Sequence, residues 1–429
     1  MSIAVKRRST AAIAASVSVK GTMEWVASSC AARAASRPAR FAGLATCLIA
    51  ALLALMASEA SSAGATAGPP PVTILTKGQL GTGYIFVTPT GGNYANGPEI
   101  LDAQGNVVWF HAIPKTQTAG DFRTQTYGGN QVLTWWQGTG FGGLSCGTDY
   151  IYDDHFNQIA TVQAGNGLCA DGHEFQITEA NTALITIFAE ASANLTSIGG
   201  RANQTVINGV VQEIDIASGK VLFQWNSADH VPYSLSQVPL PAAANQPWDW
   251  FHVNAVHVDT DGNLLVGSRH TWATYKVDRL SGAVIWTLGG KASSFTLAAV
   301  SGQVLDKAHE LFAWQHDPEG LGNGMYTFFD NEANGASLPL LPYSRAIVVQ
   351  LDEGTRVATL VASYKQPEGL SATSQGKVQT TDEGNLFVGW GALPYFSAFD
   401  PTGKLIFNAK FPQGVYSYRA YFLPFSPAN

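Results

Sequence analysis

The densest group of side chains with catalytic potential lies between Trp248 and His270, a stretch that contains three histidines. Alternation along a strand would place His252 and Asn254 on one face, where the imidazole can act as acid or base and the amide can donate to an oxyanion. A hairpin turn would then bring Arg269 back beside His252, and a guanidinium suits a tetrahedral anion. The alternative is structural, with hydrogen bonds between sheets and an ion pair between Arg269 and a nearby aspartate.

Two histidines outside this stretch are further candidates for the site. His316 precedes Asp317 and Pro318, and a neutral imidazole is a nucleophile and a base near neutral pH. Asp317 would point to the opposite face of a strand, so a group from elsewhere in the chain would have to orient His316. The alternative is a loop histidine that caps the turn before Pro318. His173 follows Gly172 and is uninformative by itself.

The remaining histidines of the stretch, His257 and His270, are expected to be structural residues that point away from His252. Because His252 and His257 would lie on opposite faces, and the chain has no HExxH motif or clustered carboxylates, no catalytic metal is expected. The sequence also has no phosphate loop, dinucleotide glycine motif or GxSxG elbow. We therefore expect no cofactor and no ordinary serine hydrolase.

Composition favours an all-β protein. Charged residues make up only 13% of the chain and glycine is frequent, with 44 residues, which fits many short strands and tight turns better than long helices with charged outer faces. The net charge of −7 gives no reason to bind nucleic acid.

Residues 1–67 are expected to be a secretory signal segment rather than part of the fold. An apolar run over 41–57 follows Arg33, Arg37 and Arg40 and precedes small residues. The expected location is therefore secreted or periplasmic. The alternative is an uncleaved segment, which would be the chain's only attachment to a membrane.

The four cysteines fit an exported protein. Cys30 and Cys47 fall in the segment expected to be removed, which leaves Cys146 and Cys169. An isolated pair in an exported chain indicates a disulfide, here one that would pin the loop containing His173. The alternative is two unpaired buried thiols.

A repeated hairpin, with aspartate and glycine in the turn and an apolar strand after it, occurs six times after Pro71. The six copies span 101–110, 152–162, 214–225, 277–288, 351–361 and 399–411, and another strand precedes each. Such spacing predicts a single six-bladed β-propeller over 72–429, in which a ring of blades buries each face against its neighbour. A pair of open β-sandwiches is the alternative. The strand at 72–76 is expected to complete the last blade beside 415–423.

A propeller would gather the candidate residues at its central channel. The Pro-rich insertion from His230 to Pro247 is expected to form a surface lid or rim. Most tryptophans would pack between blades, while one or two lining the channel would form a flat slot for an aromatic ring. Six lie near the candidate histidines in sequence: Trp135, Trp136, Trp248, Trp250, Trp272 and Trp314.

The segments that carry these residues resemble the arylsulfotransferase family, secreted enzymes that move a sulfuryl group from an aryl sulfate to a phenol without a nucleotide donor. The similarity covers most of the chain after Tyr84 and rests on VLTWWQG, DGHEFQ, DWFHVNAV, GNLLVGSRH, WTLGG and WQHDPE. It implies a six-bladed propeller with a channel site, in agreement with the repeat count. The chain before the first blade is too short for the N-terminal β-domain of the best-known bacterial members, so this chain is more similar to a shorter branch.

The resemblance also implies roles for the candidate residues. His316 is similar to the histidine that becomes sulfated, while His252, Asn254 and Arg269 are similar to the groups around the sulfuryl oxygens, and His173 to the remaining channel histidine. The implied mechanism is ping-pong, with small-molecule aryl sulfates and phenols as partners. Two alternatives remain from the residues themselves: a non-catalytic propeller that binds glycans or proteins, and another propeller enzyme such as a lyase or a quinone-dependent oxidoreductase.

Overall fold

The structure is a computed structural model that describes residues 68–140 and 144–426. The expected signal segment, with Cys30 and Cys47, lies outside the described residues. Within the described ranges, no helix is long and apolar enough to cross a membrane.

Strands make up almost all of the regular structure in the described part of the chain. In chain order, the first nine are β1 (Thr73–Thr76), β2 (Tyr84–Gly91), β3 (Glu99–Leu101), β4 (Val107–Phe110), β5 (Thr118–Tyr127), β6 (Asn130–Thr139), β7 (Cys146–Tyr152), β8 (Gln158–Val162) and β9 (Phe175–Ile177). The next nine are β10 (Thr182–Ala193), β11 (Gln204–Asp215), β12 (Val221–Asn226), β13 (Trp248–Asp249), β14 (Val253–Val258), β15 (Leu264–Ser268), β16 (Ala273–Val277), β17 (Val284–Leu288) and β18 (Thr296–Ala299). The last nine are β19 (His316–Gly322), β20 (Met325–Asp330), β21 (Arg345–Asp352), β22 (Val357–Lys365), β23 (Lys377–Thr380), β24 (Leu386–Gly389), β25 (Tyr395–Phe399), β26 (Leu405–Lys410) and β27 (Val415–Leu423). Within the described residues, the helical segments are one α-helical turn, α1 (Ser227–His230), and three 3-10 turns at Thr196–Ile198, Tyr233–Leu235 and Gly290–Ala292.

The strands form six sheets, which are the blades of a β-propeller. From the inner to the outer edge, blades 1 to 6 are β27-β2-β3-β4, β5-β6-β7-β8, β9-β10-β11-β12, β14-β15-β16-β17, β19-β20-β21-β22 and β23-β24-β25-β26. The inner strands contact one another around the axis, and β13, β18 and β1 add to blades 3, 5 and 6. The predicted six-bladed propeller is confirmed.

The six repeated hairpins are the two outer strands of the six blades, and the strand predicted before each hairpin is the second strand of the same blade. The turn chemistry explains why the pattern recurs. In the first copy, Oδ1 of Asp102 accepts hydrogen bonds from the main-chain N–H groups of Gln104 and Asn106, each at 2.8 Å. Gly105 adopts a φ of 81°, a left-handed conformation that glycine tolerates best.

The ring closes through strands from both ends of the described chain. β1 pairs with β26, with Thr73 opposite Lys410, so the prediction that this strand completes the last blade is confirmed. Its predicted position beside 415–423 is wrong, because β27 pairs with β2 and is the inner strand of blade 1. The sequence repeat begins at the second strand of each blade, so the C-terminal strand supplies the missing inner strand of the first blade. Each terminal strand thus covers an edge that would otherwise be open.

Aromatic side chains join neighbouring blades. Trp225 of blade 3 donates from its indole nitrogen to the carbonyl of Gly282 in blade 4, at 3.1 Å. Trp286 of blade 4 donates in the same way to Glu353 of blade 5, at 3.1 Å. Both rings are almost fully buried, so each contributes a large apolar contact as well as a satisfied polar group.

Buried charges on five of the six inner strands, and one residue directly before the sixth, meet at the axis. We call this group the charge hub, and its members are Asp121, Arg123, Glu174, His257, Asp317, Lys377 and Arg419. Arg419 forms ion pairs with Asp121 and Glu174, each at 2.9 Å, and Nε2 of His257 lies 3.1 Å from Glu174. Burial alone would lower the pKa of His257, but Glu174 and Asp317 raise it to about 9. His257 is therefore a charged member of the hub at neutral pH.

Candidate active site

Three of the predicted site histidines occupy corresponding positions in consecutive blades. His173 lies just before β9, His252 directly precedes β14, and His316 is the first residue of β19. The inner strands converge on the axis, so the starts of these strands bring the histidines together. The ring centroids of His173 and His252 are 5.2 Å apart. The next residues after His173 and His316 are Glu174 and Asp317, which anchor both histidines to the charge hub.

Carboxylates orient two of these imidazoles. Nδ1 of His173 is hydrogen-bonded to Asp171, and Nδ1 of His252 is hydrogen-bonded to Asp249. An ionised carboxylate only accepts, so Nδ1 of each imidazole donates, and in neutral His252 the lone pair is on Nε2. Burial, together with the nearby His173 and Arg269, holds the pKa of His252 well below its usual range. His252 is therefore neutral at physiological pH.

An asparagine fixes the tautomer of His316. The amide nitrogen of Asn331 donates to the carbonyls of Ala372 and Gln375, both at 3.0 Å. Its oxygen must therefore accept from Nδ1 of His316, at 2.7 Å. Nε2 keeps the lone pair and accepts from the main-chain N–H of Gln375 at 3.1 Å. Burial, together with the charge of Arg269, holds the pKa of His316 well below its usual range, so the imidazole is in its nucleophilic form.

Arg269 is a buried cation with neutral partners. Its Nη1 contacts Nε2 of His270 at 2.8 Å, its Nη2 donates to the carbonyl of Thr373 at 2.9 Å, and its guanidinium lies 5.1 Å from the Trp314 ring centroid. Its Nε has no hydrogen-bond partner, and no carboxylate within the described ranges forms an ion pair with it. Burial lowers the pKa of Arg269 to about 10, so it remains charged. The charge of Asp249 acts on Arg269 without a direct ion pair, so a bound anion could become its direct partner.

His270 and Asp249 belong to the site although the sequence did not place them there. The His270 ring centroid is 4.5 Å from that of His252, and Nδ1 of His270 donates to the carbonyl of Asp249 at 2.6 Å. The expectation that His270 points away from His252 is wrong because β15 ends at Ser268, so strand alternation no longer sets its direction. The position of Asp249, three residues before His252, is the sequence feature that could have indicated this pair.

Asn254 of blade 4 contacts the chain directly before His316 of blade 5. Its amide nitrogen donates to the carbonyl of Gln315 at 2.6 Å, and Gln315 is the residue before His316. The contact therefore ties β14 to the start of β19. A direct role for Asn254 toward a substrate oxygen stays a prediction.

Aromatic rings surround the histidines. The Phe188 centroid lies 5.5 Å from that of His173 and 5.1 Å from that of His252. On the other side, Trp314 lies 5.8 Å from His270 and 5.3 Å from Trp272. Trp314 is thus the tryptophan of the predicted group that stacks directly on a site residue, Arg269. Phe188 was not expected, and nothing in its sequence surroundings marks it.

The predicted disulfide between Cys146 and Cys169 is confirmed. It acts next to the site, because the neighbouring Ser145 is hydrogen-bonded through Oγ to Asp171. Asp171 in turn orients His173. The bond therefore holds Ser145 against the carboxylate that fixes this imidazole.

The Pro-rich insertion, predicted as a lid or rim, packs against blades 3 and 4. Tyr233 and Leu240 from the insertion are partly buried against the apolar cluster that these blades share. The main-chain N–H of Gln237 donates to the carbonyl of His270 at 2.8 Å. The insertion thereby contacts the site at its outer side.

Three side-chain groups in the described ranges contain residue types that bind metals: Asp153, Asp154 and His155 form one in the turn between β7 and β8, and the other two lie at the candidate site and in the charge hub. The group at the candidate site is Asp249, His252 and His270, whose ligand atoms lie within 4.8 Å of one another. The carbonyl of Asp249 can only accept, so Nδ1 of His270 is protonated and has no lone pair for a metal. The group in the charge hub is Glu174, His257 and Asp317, where Arg419 and Lys377 already supply cations. The groups at the site and in the hub are explained by hydrogen bonds and ion pairs.

The fold and the site together define a β-propeller in which the neutral imidazoles of His252 and His316 lie beside the guanidinium of Arg269, which forms no ion pair in the described part of the chain. The arylsulfotransferase (ASST) family profile matches residues 123–412, more than half of the chain. The chain therefore belongs to the arylsulfotransferase family. The match contains every predicted site residue, and it supports a sulfotransferase activity in general.

Comparison with solved structures finds proteins of low sequence identity. A protein of unknown function from Bacteroides caccae is 12% identical with a TM-score of 0.46, over 80% of this chain and 99% of that chain. A virginiamycin B lyase from Staphylococcus aureus is 7% identical with a TM-score of 0.39, over 81% of this chain and 89% of that chain. No curated protein matches the sequence.

Proposed function

We propose that this protein transfers a sulfuryl group from an aryl sulfate to a phenol by a ping-pong mechanism, with a sulfohistidine on His316 as the intermediate. The observation that carries the proposal is the buried, unpaired guanidinium of Arg269 beside neutral imidazoles. A sulfate ester carries one negative charge, so it could form the direct ion pair that Arg269 lacks in the described structure. Family membership points to the same reaction.

His316 is the nucleophile in this proposal. Asn331 holds its Nδ1–H, which leaves the Nε2 lone pair to attack sulfur. The N–S bond forms as the bond from sulfur to the aryl oxygen breaks, and the phenolate leaves with the electron pair of that bond. In the second half, an acceptor phenol attacks sulfur, and the electron pair of the N–S bond returns to Nε2.

His252 carries the proton. Asp249 accepts from its Nδ1, so Nε2 can take the proton that the acceptor phenol gives up, and the carboxylate then stabilises the imidazolium. In the next cycle the same proton passes to the departing phenolate. His173, with Asp171 on its Nδ1, is the second candidate for this role because its ring adjoins that of His252.

The segment from Thr373 to Gln375 occupies the substrate's place in the resting site. The carbonyl of Thr373 accepts from Arg269, and the N–H of Gln375 donates to Nε2 of His316. A bound sulfuryl group would replace both contacts: its oxygens would take the Arg269 bond, and the Gln375 N–H would be free to donate to a developing negative charge. The aryl ring would lie against Phe188.

The experiment measures transfer and labelling together. Purified protein is incubated with 4-nitrophenyl sulfate, with and without a second phenol, and the peptide containing His316 is examined by mass spectrometry for one added sulfuryl group. His316→Ala should abolish both phenol release and labelling. His155→Ala, which changes a histidine whose side chain is 58% exposed, should leave both unchanged. Absence of transfer and labelling across several donors would overturn the proposal and favour a binding protein.

The proposal includes export of the chain. The Cys146–Cys169 disulfide supports it, since such bonds persist in oxidising compartments. Expression of the full chain with fractionation of the host cell tests this part: the mature protein should lack its first residues and be found outside the cytoplasm. Recovery of the full-length chain in the cytoplasm would contradict it.

A further inference from the structure

His270 lies between the two opposite charges of the site. Its Nε2 is 2.8 Å from Nη1 of Arg269, while its Nδ1 is 2.6 Å from the carbonyl oxygen of Asp249 and 3.5 Å from the Asp249 carboxylate. Arg269 and Asp249 form no ion pair with each other in the described structure. One imidazole thus separates a buried cation from a partly buried acid.

The hydrogen bonds fix His270 as a neutral spacer. A guanidinium only donates, so Nε2 of His270 must accept, and the Asp249 carbonyl only accepts, so Nδ1 must carry the proton. Burial lowers the pKa of His270 to about 3, so the ring stays neutral. It therefore satisfies one hydrogen bond on each side without cancelling either charge.

Each separated charge has its own task in the proposed reaction. Arg269 must remain without a carboxylate partner to bind the sulfuryl oxygens. Asp249 must remain available to Nδ1 of His252. Opposite charges attract strongly in a site that excludes water, so a direct ion pair between them would remove the anion site and the support for His252 together.

We infer that His270 is a positioning residue that keeps Arg269 and Asp249 apart, so that Arg269 is available to a sulfate group and Asp249 to His252. The inference rests on the proposed function. It predicts that the charge of Asp249 becomes harmful to sulfate binding once His270 is removed. That coupling distinguishes a spacer from a residue that only fills space.

The test measures binding of inorganic sulfate by calorimetry to the full-length protein and four variants. His270→Ala should weaken binding by about tenfold or more, since Arg269 can then pair with Asp249. His270→Gln, which retains an acceptor and a donor without charge, should stay within about threefold of the native protein. Asp249→Asn should bind at least as well as the native protein.

The decisive variant combines His270→Ala with Asp249→Asn. Without the carboxylate, Arg269 has nothing to pair with, so sulfate binding should return to the level of Asp249→Asn alone. The same variant should show a recovered KM for an aryl sulfate but a low kcat, because His252 has lost its acceptor. Near-ultraviolet circular dichroism and melting temperature establish that each variant is folded.

Two results would overturn the inference while leaving the proposed function intact. One is native sulfate affinity in folded His270→Ala, and the other is a double variant that binds as weakly as His270→Ala. If His270→Ala does not fold, sulfate binding by His270→Gln that is more than about tenfold weaker than native also overturns it. Failure of the native protein both to bind sulfate and to transfer a sulfuryl group would instead overturn the proposed function.

Discussion

The main-chain N–H of Gln375 donates to Nε2 of His316 at 3.1 Å, and this contact occupies the lone pair that the imidazole would use to attack sulfur. Gln375 adopts a φ of 67°, which is uncommon for a residue other than glycine. In the proposed reaction, His316 is the nucleophile that Asn331 holds in its reactive tautomer, and the substrate would displace the segment that contains Gln375.

The first prediction concerns the pH dependence of the first half-reaction. Burial holds the pKa of His316 well below its usual range, so the nucleophile should remain neutral as the solution becomes mildly acidic. Phenolate release in a single turnover should therefore keep its rate between pH 7 and about pH 5. A rate that falls by half near pH 6.5 would contradict the neutral, buried imidazole.

The second prediction concerns the partner of His316. Asn331→Asp places a carboxylate at Nδ1, which favours the charged imidazole and raises its pKa. The rate of phenolate release should then decline with falling pH at a higher pH than in the native protein. Asn194→Asp, at an exposed position, is the matched control and should keep the native profile. Identical profiles for both variants would show that Asn331 does not set the protonation of His316.

The third prediction concerns the disulfide. Replacing both cysteines, Cys146→Ser with Cys169→Ser, opens a link between positions 23 residues apart and should cost about 3 kcal/mol of unfolding free energy. It should also lower the transfer rate, because Ser145 no longer steadies Asp171 beside His173. Calorimetric melting and the transfer assay check the two effects. Native rates at temperatures where the variant is folded would contradict the link to His173.

The fold could be predicted from the sequence because its repeat has a local cause. Aspartate occurs in all six outer turns and glycine in five of them, and apolar residues follow, so both the number of blades and the identity of their outer strands could be predicted from the sequence. The strand pairs that close the ring could not be predicted correctly, because pairing between strands far apart in the chain leaves no local signature in the sequence. β27 and β2 lie near opposite ends of the described chain, and the sequence of neither strand identifies the other as its partner.

Less of the candidate site than of the fold could be predicted from the sequence. His252 and His316 could be chosen by type and position, but the groups that orient them come from other segments. Asn331 lies 15 residues after His316, across a hairpin whose register the sequence does not set. Strand alternation predicts that His270 points away from His252, and this is wrong because β15 ends two residues earlier, at Ser268. Contacts of this kind depend on where a strand ends, which propensity determines poorly.

The fourth prediction concerns a buried acid in blade 1. Glu99 is fully buried, neither carboxylate oxygen has a hydrogen-bond partner in the described structure, and burial raises its pKa to about 8. The unfolded chain releases this proton near its ordinary pKa, so between that value and pH 8 the folded state holds one more proton. Stability should therefore fall as pH rises, by about 1.4 kcal/mol per pH unit from this group.

Glu99→Gln tests this dependence. The variant should match the native protein at about pH 3, where the carboxyl group is protonated in both states, and should be more stable near pH 8. Denaturant unfolding at a series of pH values gives the slope for each protein. Equal slopes for Glu99→Gln and the native protein would show that Glu99 does not titrate in this window.

The last prediction concerns the charge hub. Arg419 is fully buried and pairs with Asp121 and Glu174. Arg419→Met keeps much of the side-chain volume but leaves both carboxylates without this counter-charge, so it should cost about 3–5 kcal/mol of unfolding free energy. Lys220→Met removes a positive charge from an exposed outer turn and should change stability by less than about 0.5 kcal/mol. Denaturant unfolding compares the two variants. A loss for Arg419→Met no larger than that for Lys220→Met would mean that the inner strands are held by apolar packing alone.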